Sequence, residues 1–105
     1  MESQGIEYEF IAKAYRYSTS ADGVGWTIVS LPKEISIEIR ENFKQLEESW
    51  GRMKVIAKAG KSEWKTAIWF DTKQDTYLLP IKAEIRKIEN ILLDKDIEIV
   101  IWIPL

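Results

Sequence analysis

Residues 77–86, YLLPIKAEIR, decide the fold, because the same succession of features occurs twice in the chain. In this stretch a short apolar run ends at a Leu-Pro pair, and a helical pattern follows. The earlier copy is residues 26–40, WTIVSLPKEISIEIR. Proline has a fixed φ angle and no N–H, so it suits the first position of a helix and no deeper one. Each stretch therefore predicts a strand that passes into a helix at its proline.

Strands are predicted where short runs alternate between apolar and polar residues, which is the period of a half-buried strand, or where an apolar run follows a turn signal. The six predicted strands are residues 6–17, 26–31, 53–59, 64–70, 76–79 and 97–103. Segment 18–25, STSADGVG, is rich in serine and glycine and predicts a turn. Segment 60–63 predicts a second, shorter turn. Each turn joins two strands into a hairpin.

Two helices are predicted between these strands. The first runs from Pro32 to about Glu48, and Gly51 is its predicted left-handed cap. Its buried face is predicted to contain Ile35, Ile39, Phe43 and Leu46. The second helix follows Pro80, and its predicted buried stripe contains Ile81, Ile85, Ile88 and Leu92.

The chain therefore divides into two β-β-α-β halves, at about residues 6–59 and 64–103, within a single domain of residues 1–105. Superposing the two Leu-Pro pairs places Ile37 on Ile85 and Phe43 on Ile91. Each half alone would leave strand edges unpaired, so the halves are expected to share one barrel around a pseudo-twofold axis. The alternative, that two Leu-Pro pairs recur by chance, stays open.

The chain also resembles a known family. The resemblance rests on residues 26–32, Trp50-Gly51, residues 64–66, residues 77–82 and Arg86, and it extends from about residue 6 to residue 103. Each half is similar to the swapped-hairpin unit of the AbrB and MazE transcription regulators. The whole chain resembles the domain-of-unknown-function family nineteen-oh-five. The resemblance implies a mainly β fold with two helices, a six-stranded double-split β-barrel capped by those helices, and no established activity.

Two positions depart from the pattern of that family. Ala67 stands where the pattern usually has serine, and Lys95 stands where it has glycine. The first departure removes a hydroxyl group, and the second affects turn geometry alone.

Composition excludes several kinds of site. The chain has 105 residues, which suits one domain with a single core. It contains no cysteine and no histidine, so disulfides, thiolate catalysis, Cys/His zinc sites and a Ser-His-Asp triad are excluded. An enzyme would need tuned carboxylates, a lysine of lowered pKa or a magnesium site, and no motif for these is visible. No catalytic residue, cofactor or metal is predicted.

The charge balance bears on partners and location. The chain has 15 Lys and Arg against 17 Asp and Glu, a net charge of −2, so no overall field attracts nucleic acid or anionic lipid. No apolar run approaches the roughly 20 residues that span a bilayer, and the polar first residues lack the core of a signal peptide. The expected location is the cytoplasm, without membrane contact.

Five tryptophans in so short a chain need an explanation. Trp26, Trp50 and Trp64 have two interpretations, namely packing in the core and at the barrel ends, or forming the walls of a ligand pocket at a barrel mouth. Arg86 is the best candidate to bind a carboxylate or phosphate, because a guanidinium can bind two oxygens, although a solvated position or a salt bridge is its alternative role. The ligand-binding candidates are Trp26, Trp50, Trp64, Lys65, Tyr77, Lys82 and Arg86.

Other aromatic and acidic residues have simpler interpretations. Trp69 and Trp102 fall on the faces opposite the main apolar stripes of their strands, so at least one is expected to be exposed as a contact surface. The acidic pairs Glu47-Glu48 and Asp94 with Asp96 are interpreted as a solvated helix end and a turn.

Three functions stay open. The first is a binding or interaction module for a small molecule or a protein partner, which the aromatic content and the lack of catalytic groups favour. The second is nucleic-acid binding by analogy with AbrB-type regulators, against which the four scattered arginines argue. The third is a carboxylate- or lysine-dependent enzyme. A duplicated barrel already contains the pairing that single-repeat proteins obtain by dimerising, so a monomer is expected.

Overall fold

The structure, a computed structural model, describes residues 4–18, 25–48 and 51–105. Within these residues, six strands and two α-helices follow one another along the chain. They are β1 (Gly5–Ser18), β2 (Gly25–Ser30), α1 (Lys33–Phe43), β3 (Arg52–Ala59), β4 (Ser62–Asp71), β5 (Thr76–Pro80), α2 (Ala83–Ile88) and β6 (Asp96–Pro104). A 3-10 turn, Lys44–Leu46, continues from α1. Most of the predicted turn 18–25 lies outside the described residues.

The strands form one closed antiparallel barrel in the order β1-β2-β5-β4-β3-β6, with β6 paired to β1. The predicted fold class, a mainly β barrel of six strands with two helices, is confirmed. Exchanging β1 with β4, β2 with β5 and β3 with β6 gives the same pairs of neighbouring strands around the barrel. Closure leaves each of the six strands paired on both sides, and this removes the open edges that either half would have alone.

The core fills the inside of the barrel. Along β3, Met53, Val55, Ala57 and Ala59 are buried and alternate with exposed or half-buried residues. Along β6, Ile99, Ile101 and Ile103 are buried in the same alternation. Ala57 pairs with Ile101 in the ladder between β3 and β6, so a small side chain faces a large one. The strict period of two predicted these inward positions correctly.

The two prolines begin their helices differently. Pro32 lies immediately before the first residue of α1, close to the predicted position. The prediction for Pro80 is wrong, because Pro80 is the last residue of β5 and α2 begins at Ala83. The Ile81 N–H donates to the Thr27 carbonyl at 2.8 Å, so the chain stays paired with β2 beyond the proline and the helix starts later.

The second helix is also shorter than predicted. Ile81 and Ile85 are buried as expected, but Ile88 is 63% exposed and Leu92 is 54% exposed. Asn90 has a φ of 52°, which ends the helical turn and redirects the chain. The buried stripe therefore stops after Ile85.

The late start of α2 also changes the alignment of the two helices. Ile37, which superposition on the Leu-Pro pair places on Ile85, is 44% exposed, whereas Ile85 is 5% exposed. Ile35, which is half-buried, has the same place relative to the start of its helix as Ile85. Gly51 has the predicted left-handed φ of 73°, but it does not cap the first helix, because α1 ends at Phe43.

The outside of the barrel carries a second apolar area. Ile28, Ala67 and Leu78 are at most 4% exposed, yet they do not belong to the interior cluster. Their chain neighbours Val29, Ile68 and Leu79 do belong to it, so by strand alternation these three side chains face outward. This outer face of β2, β5 and β4 lies beside the candidate site described next.

Candidate functional site

Five of the seven predicted ligand-binding residues meet in one pocket of about 360 Å³. They are Trp26, Trp64, Lys65, Lys82 and Arg86. The other lining residues are Thr27, Thr66, Pro80, Ile81 and Ala83. We call this the α2 pocket. Its volume lies in the range of about 300–1,000 Å³ that is usual for small-molecule sites.

Strands β2 and β4 and the segment that leads into α2 position these side chains. Strand β2 contributes Trp26 and Thr27, and the hydrogen bond from the Ile81 N–H to the Thr27 carbonyl fixes the entry to α2 beside them. Lys82 and Arg86 lie one helical turn apart, and the Arg86 N–H donates to the Lys82 carbonyl at 3.1 Å. Lys82 is the residue before α2, and both cations line the pocket.

Buried donors without a partner distinguish this pocket. Among the described residues, the indole N–H of Trp64, the hydroxyl of Thr27 and the Nε of Arg86 are buried and make no hydrogen bond. Trp64 is 6% exposed and Thr27 is 4% exposed. An unpaired buried polar group costs about 1–3 kcal/mol, so such groups are rare and need an explanation. Three of the residues that line the α2 pocket therefore each have a buried polar atom without a hydrogen-bond partner.

The charge of the pocket agrees with its donors. Of the described residues that line it, three are cationic and none is acidic. Lys82 is exposed and lies 3.9 Å from the Glu84 carboxylate, which lies outside the pocket lining. The indole and guanidinium groups donate and cannot accept hydrogen bonds. The pocket therefore matches an oxyanion.

Of the two remaining candidates, Trp50 lies outside the described residues, and Tyr77 does not line this pocket. Tyr77 is fully buried under α1, and its hydroxyl donates to the Glu47 carboxylate at 2.6 Å. Arg40 donates to the same carboxylate at 3.1 Å and lies 4.1 Å from the centre of the Phe70 ring. We call Arg40, Glu47 and Tyr77 the α1 network, and it holds the helix on the barrel.

The α1 network makes stability depend on alkaline pH. Burial, with the Glu47 carboxylate beside it, raises the pKa of the Tyr77 hydroxyl above its usual value near 10. The unfolded chain therefore loses this proton at a lower pH than the folded chain does. Its stabilising contribution is complete below about pH 10 and falls as the pH rises beyond it.

Replacement Tyr77→Phe is expected to flatten this alkaline loss. Each such tyrosine lowers the free energy of unfolding by up to about 1.4 kcal/mol per pH unit, as the pH rises from its pKa in the unfolded chain to its pKa in the folded chain. Tyr8, whose pKa burial and Glu38 raise to about 12, keeps its own contribution in the variant. Urea unfolding of both proteins between pH 9 and 12 measures the difference, in which the common lysine titrations cancel. Parallel curves would contradict the assignment.

A second pocket, of about 470 Å³, adjoins the first on the outer face of the barrel. It shares Trp26, Thr66 and Pro80 with the α2 pocket. Its other lining residues are Tyr17, Arg52, Ala67 and Trp69. We call it the outer groove. The Trp26 and Trp69 rings meet edge to face with their centres 6.0 Å apart.

The tryptophans divide between the two interpretations. Trp64 is buried and belongs to the core, as the packing interpretation predicts, and it also lines the α2 pocket. The packing interpretation is wrong for Trp26, which is 55% exposed. Trp69 and Trp102 are both half-buried, and the Trp102 ring lies against Gly5. The prediction that Trp69 or Trp102 is exposed is therefore wrong, and among the tryptophans of the described residues the exposed one is Trp26.

Sequence reasoning missed two contributors to this region. Thr27 and Tyr17 flank Trp26 in space, since Tyr17 pairs with Trp26 in the β1·β2 ladder. Each falls in a predicted strand, where a hydroxyl residue has no local signal of function. The β1–β2 hairpin brings them beside Trp26.

The acidic pairs take part in ion pairs. Lys54 lies 3.6 Å from the Glu48 carboxylate, and Lys13 lies 2.7 Å from that of Asp96. Glu47 belongs to the α1 network.

A larger groove of about 630 Å³ between β1 and β6 contains Glu9, Glu98 and Lys58, but none of the unpaired buried groups of the described residues lines it.

The fold and the site together define a small closed β-barrel domain with a basic, tryptophan-lined pocket. The chain belongs to the family described as a domain of unknown function, DUF1905, whose model matches residues 11–101. The predicted family is thereby confirmed. A search of the curated proteins finds no match. Within the described residues, no helix is both long and apolar enough to cross a membrane.

Proposed function

We propose that the domain is a binding module whose α2 pocket holds the oxyanion of a small molecule. The observation that carries this proposal is that three residues with an unpaired buried polar atom, Thr27, Trp64 and Arg86, line one basic pocket. An oxyanion would accept from all three. Bound to it, the donors would no longer be unsatisfied, and the free energy lost in burying them would be recovered on binding.

The pocket chemistry supports binding over catalysis. A carboxylate or lysine enzyme needs a group that can take up or release a proton next to the ligand. The described lining offers no acidic side chain, and its two lysines are exposed to solvent. The enzyme alternative therefore has no observation in its favour.

The distribution of arginines supports a small ligand over a nucleic acid. Arg40 is held in the α1 network and Arg86 in the α2 pocket, while Arg52 lines the outer groove and Arg16 is exposed on β1. A nucleic-acid interface needs cations arranged along a backbone path. Binding to duplex DNA that falls steeply with added salt would favour this alternative instead.

Nuclear magnetic resonance of the labelled protein tests the proposal directly, because the Trp64 indole N–H and the Arg86 Nε–H both give signals. Titration with acetate and, separately, with inorganic phosphate is expected to move both signals as the N–H groups gain acceptors. Dissociation constants on the order of 1 mM are expected, since tiny ligands gain at most about 1.5 kcal/mol per atom.

Matched variants complete this test. Arg86→Met is expected to abolish the shift of the Trp64 signal, whereas Lys87→Met, an exposed change on the same helix outside the pocket lining, should leave it intact. Thr27→Val should weaken binding while raising the stability of the free protein by about 1 kcal/mol, because it removes a buried unpaired hydroxyl. The proposal fails if neither anion moves either signal.

We further propose that the chain is an internally duplicated monomer. In the superposition that places Leu31 on Leu79, Ser30 falls on Leu78. Ser30 and Leu78 are also paired with each other in the β2·β5 ladder, which is expected if the two halves are related by a pseudo-twofold axis at this pair. The same shift turns the Val29 and Leu79 pair into the neighbours Leu31 and Tyr77, which are joined by a hydrogen bond of 2.9 Å. This register and the closed ring support the duplication.

Light scattering at micromolar concentration should give the monomer mass, and a stable dimer would contradict the prediction.

A further inference from the structure

We infer that the ligand is an aromatic carboxylate whose acid group binds in the α2 pocket and whose ring lies in the outer groove. This inference rests on the proposed oxyanion site and adds the chemical class of the ligand. Three residues, Trp26, Thr66 and Pro80, line both cavities, so the two adjoin along a shared wall. In this proposal one molecule occupies both neighbouring cavities.

The buried charge favours a carboxylate over a phosphate. Among the described residues of the pocket, only Arg86 combines a positive charge with a buried, unpaired donor atom. Lys65 and Lys82 are exposed, and Glu84 lies near the Lys82 ammonium. One guanidinium balances the single charge of a carboxylate. The two or so charges of a phosphate would be left partly uncompensated in a buried setting.

The outer groove supplies an aromatic surface for the rest of the ligand. Its lining is largely apolar, with the rings of Tyr17, Trp26 and Trp69 beside Ala67 and Pro80. Trp26 is 55% exposed and its ring is held edge to face by Trp69, so a face of a large aromatic side chain is presented to solvent in a fixed orientation. Aromatic rings gain by stacking on such a face beyond the burial of apolar area.

The position of Ala67 fits a ligand in this groove. Ala67 is 4% exposed, faces outward on β4 and lines the groove with a methyl group. The three unpaired buried donors belong to the α2 pocket end of the combined site, whereas Arg52, the charged residue of the groove lining, is exposed. An amphipathic ligand with a single acid group matches this division.

Three probes test the inference without any change to the protein: acetate, 3-phenylpropionate and the neutral 3-phenylpropionamide. Binding is followed by the Trp64 indole N–H signal and by isothermal calorimetry. 3-Phenylpropionate is expected to bind at least about tenfold more tightly than acetate, because its ring is transferred from water into the outer groove. The amide should bind at least about tenfold more weakly than the acid.

Two variants locate the ring. Trp69→Leu keeps an apolar side chain in the outer groove at a position that does not itself line the α2 pocket, and it should reduce the tenfold preference for 3-phenylpropionate to about threefold or less. Acetate binding should not change in this variant. Lys87→Met, outside both linings, should change neither.

The outcomes separate this inference from the proposed function. If acetate and phosphate bind but the phenyl group adds nothing, or if phosphate binds more tightly than 3-phenylpropionate, the aromatic carboxylate is ruled out and the oxyanion site stands. If no anion moves the Trp64 or Arg86 signals, both proposals fail. If the amide binds as well as the acid, the outer groove binds rings without help from the α2 pocket, and the inference is overturned.

Discussion

Replacing Ile101 by alanine is expected to lower the free energy of unfolding by about 3–4 kcal/mol, the largest effect that we anticipate for a single side chain. Ile101 is fully buried inside the barrel and pairs with Ala57 between β3 and β6. Its neighbours on the inner face are held by strands paired on both sides, so the barrel cannot easily collapse onto the space. A cavity therefore remains, and its cost adds to the lost transfer energy.

Urea unfolding followed by tryptophan fluorescence measures this change. The milder Ile101→Val should cost about 0.5–1.5 kcal/mol. Ile11→Ala is the matched control, because Ile11 lies on β1 with 62% of its surface exposed, and its replacement should change stability by less than about 0.5 kcal/mol. Equal losses at Ile101 and Ile11 would show that the barrel interior is not the main source of stability.

Replacing Glu47 by alanine is expected to cost about 3 kcal/mol, because it leaves the buried Tyr77 hydroxyl and the partly exposed Arg40 guanidinium without their acceptor. The Glu47 side chain is 9% exposed and accepts from both the Tyr77 hydroxyl and Arg40. Tyr77 is fully buried, so water cannot replace the lost carboxylate there. Arg40 keeps its position over the Phe70 ring but loses its charged partner.

A double-mutant cycle separates the contributions. Glu47→Ala in the Tyr77→Phe background should cost less than in the natural sequence, because the phenol no longer loses its acceptor. Glu41→Ala, an exposed change on α1, is the control and should be nearly neutral. Additive losses in the cycle would mean that the Tyr77 hydroxyl and Glu47 do not interact in solution.

The strands of the barrel could be predicted because their signal is local. The alternation along residues 53–59 and 97–103 reports which side chains face inward, and these side chains are buried in the structure. The length of α2 could not be predicted in this way. Ile88 and Leu92 continue a helical period, but the pairing of Ile81 with Thr27 delays the start of the helix and Asn90 ends it.

The sequence could predict most of the residues of the candidate site, but it could not predict how they are arranged in space. Aromatic and cationic residue types pointed to Trp26, Trp64, Lys65, Lys82 and Arg86, which line one pocket. Tyr77 has the same chemistry, yet it binds Glu47 under the other helix. Its neighbour Leu78 faces outward, whereas Tyr77 faces the core, and the sequence pattern of this short apolar strand does not distinguish the two faces.

The sequence by itself determined which chemistry is possible and which strands exist, since composition excludes Cys and His sites and a period of two is a property of neighbouring residues. The tertiary structure alone decided where donors lack partners. Whether the Trp64 indole or the Arg86 guanidinium is satisfied depends on groups from β2, β4 and α2 that are far apart in the chain. Barrel closure sets those distances, and no local pattern encodes them.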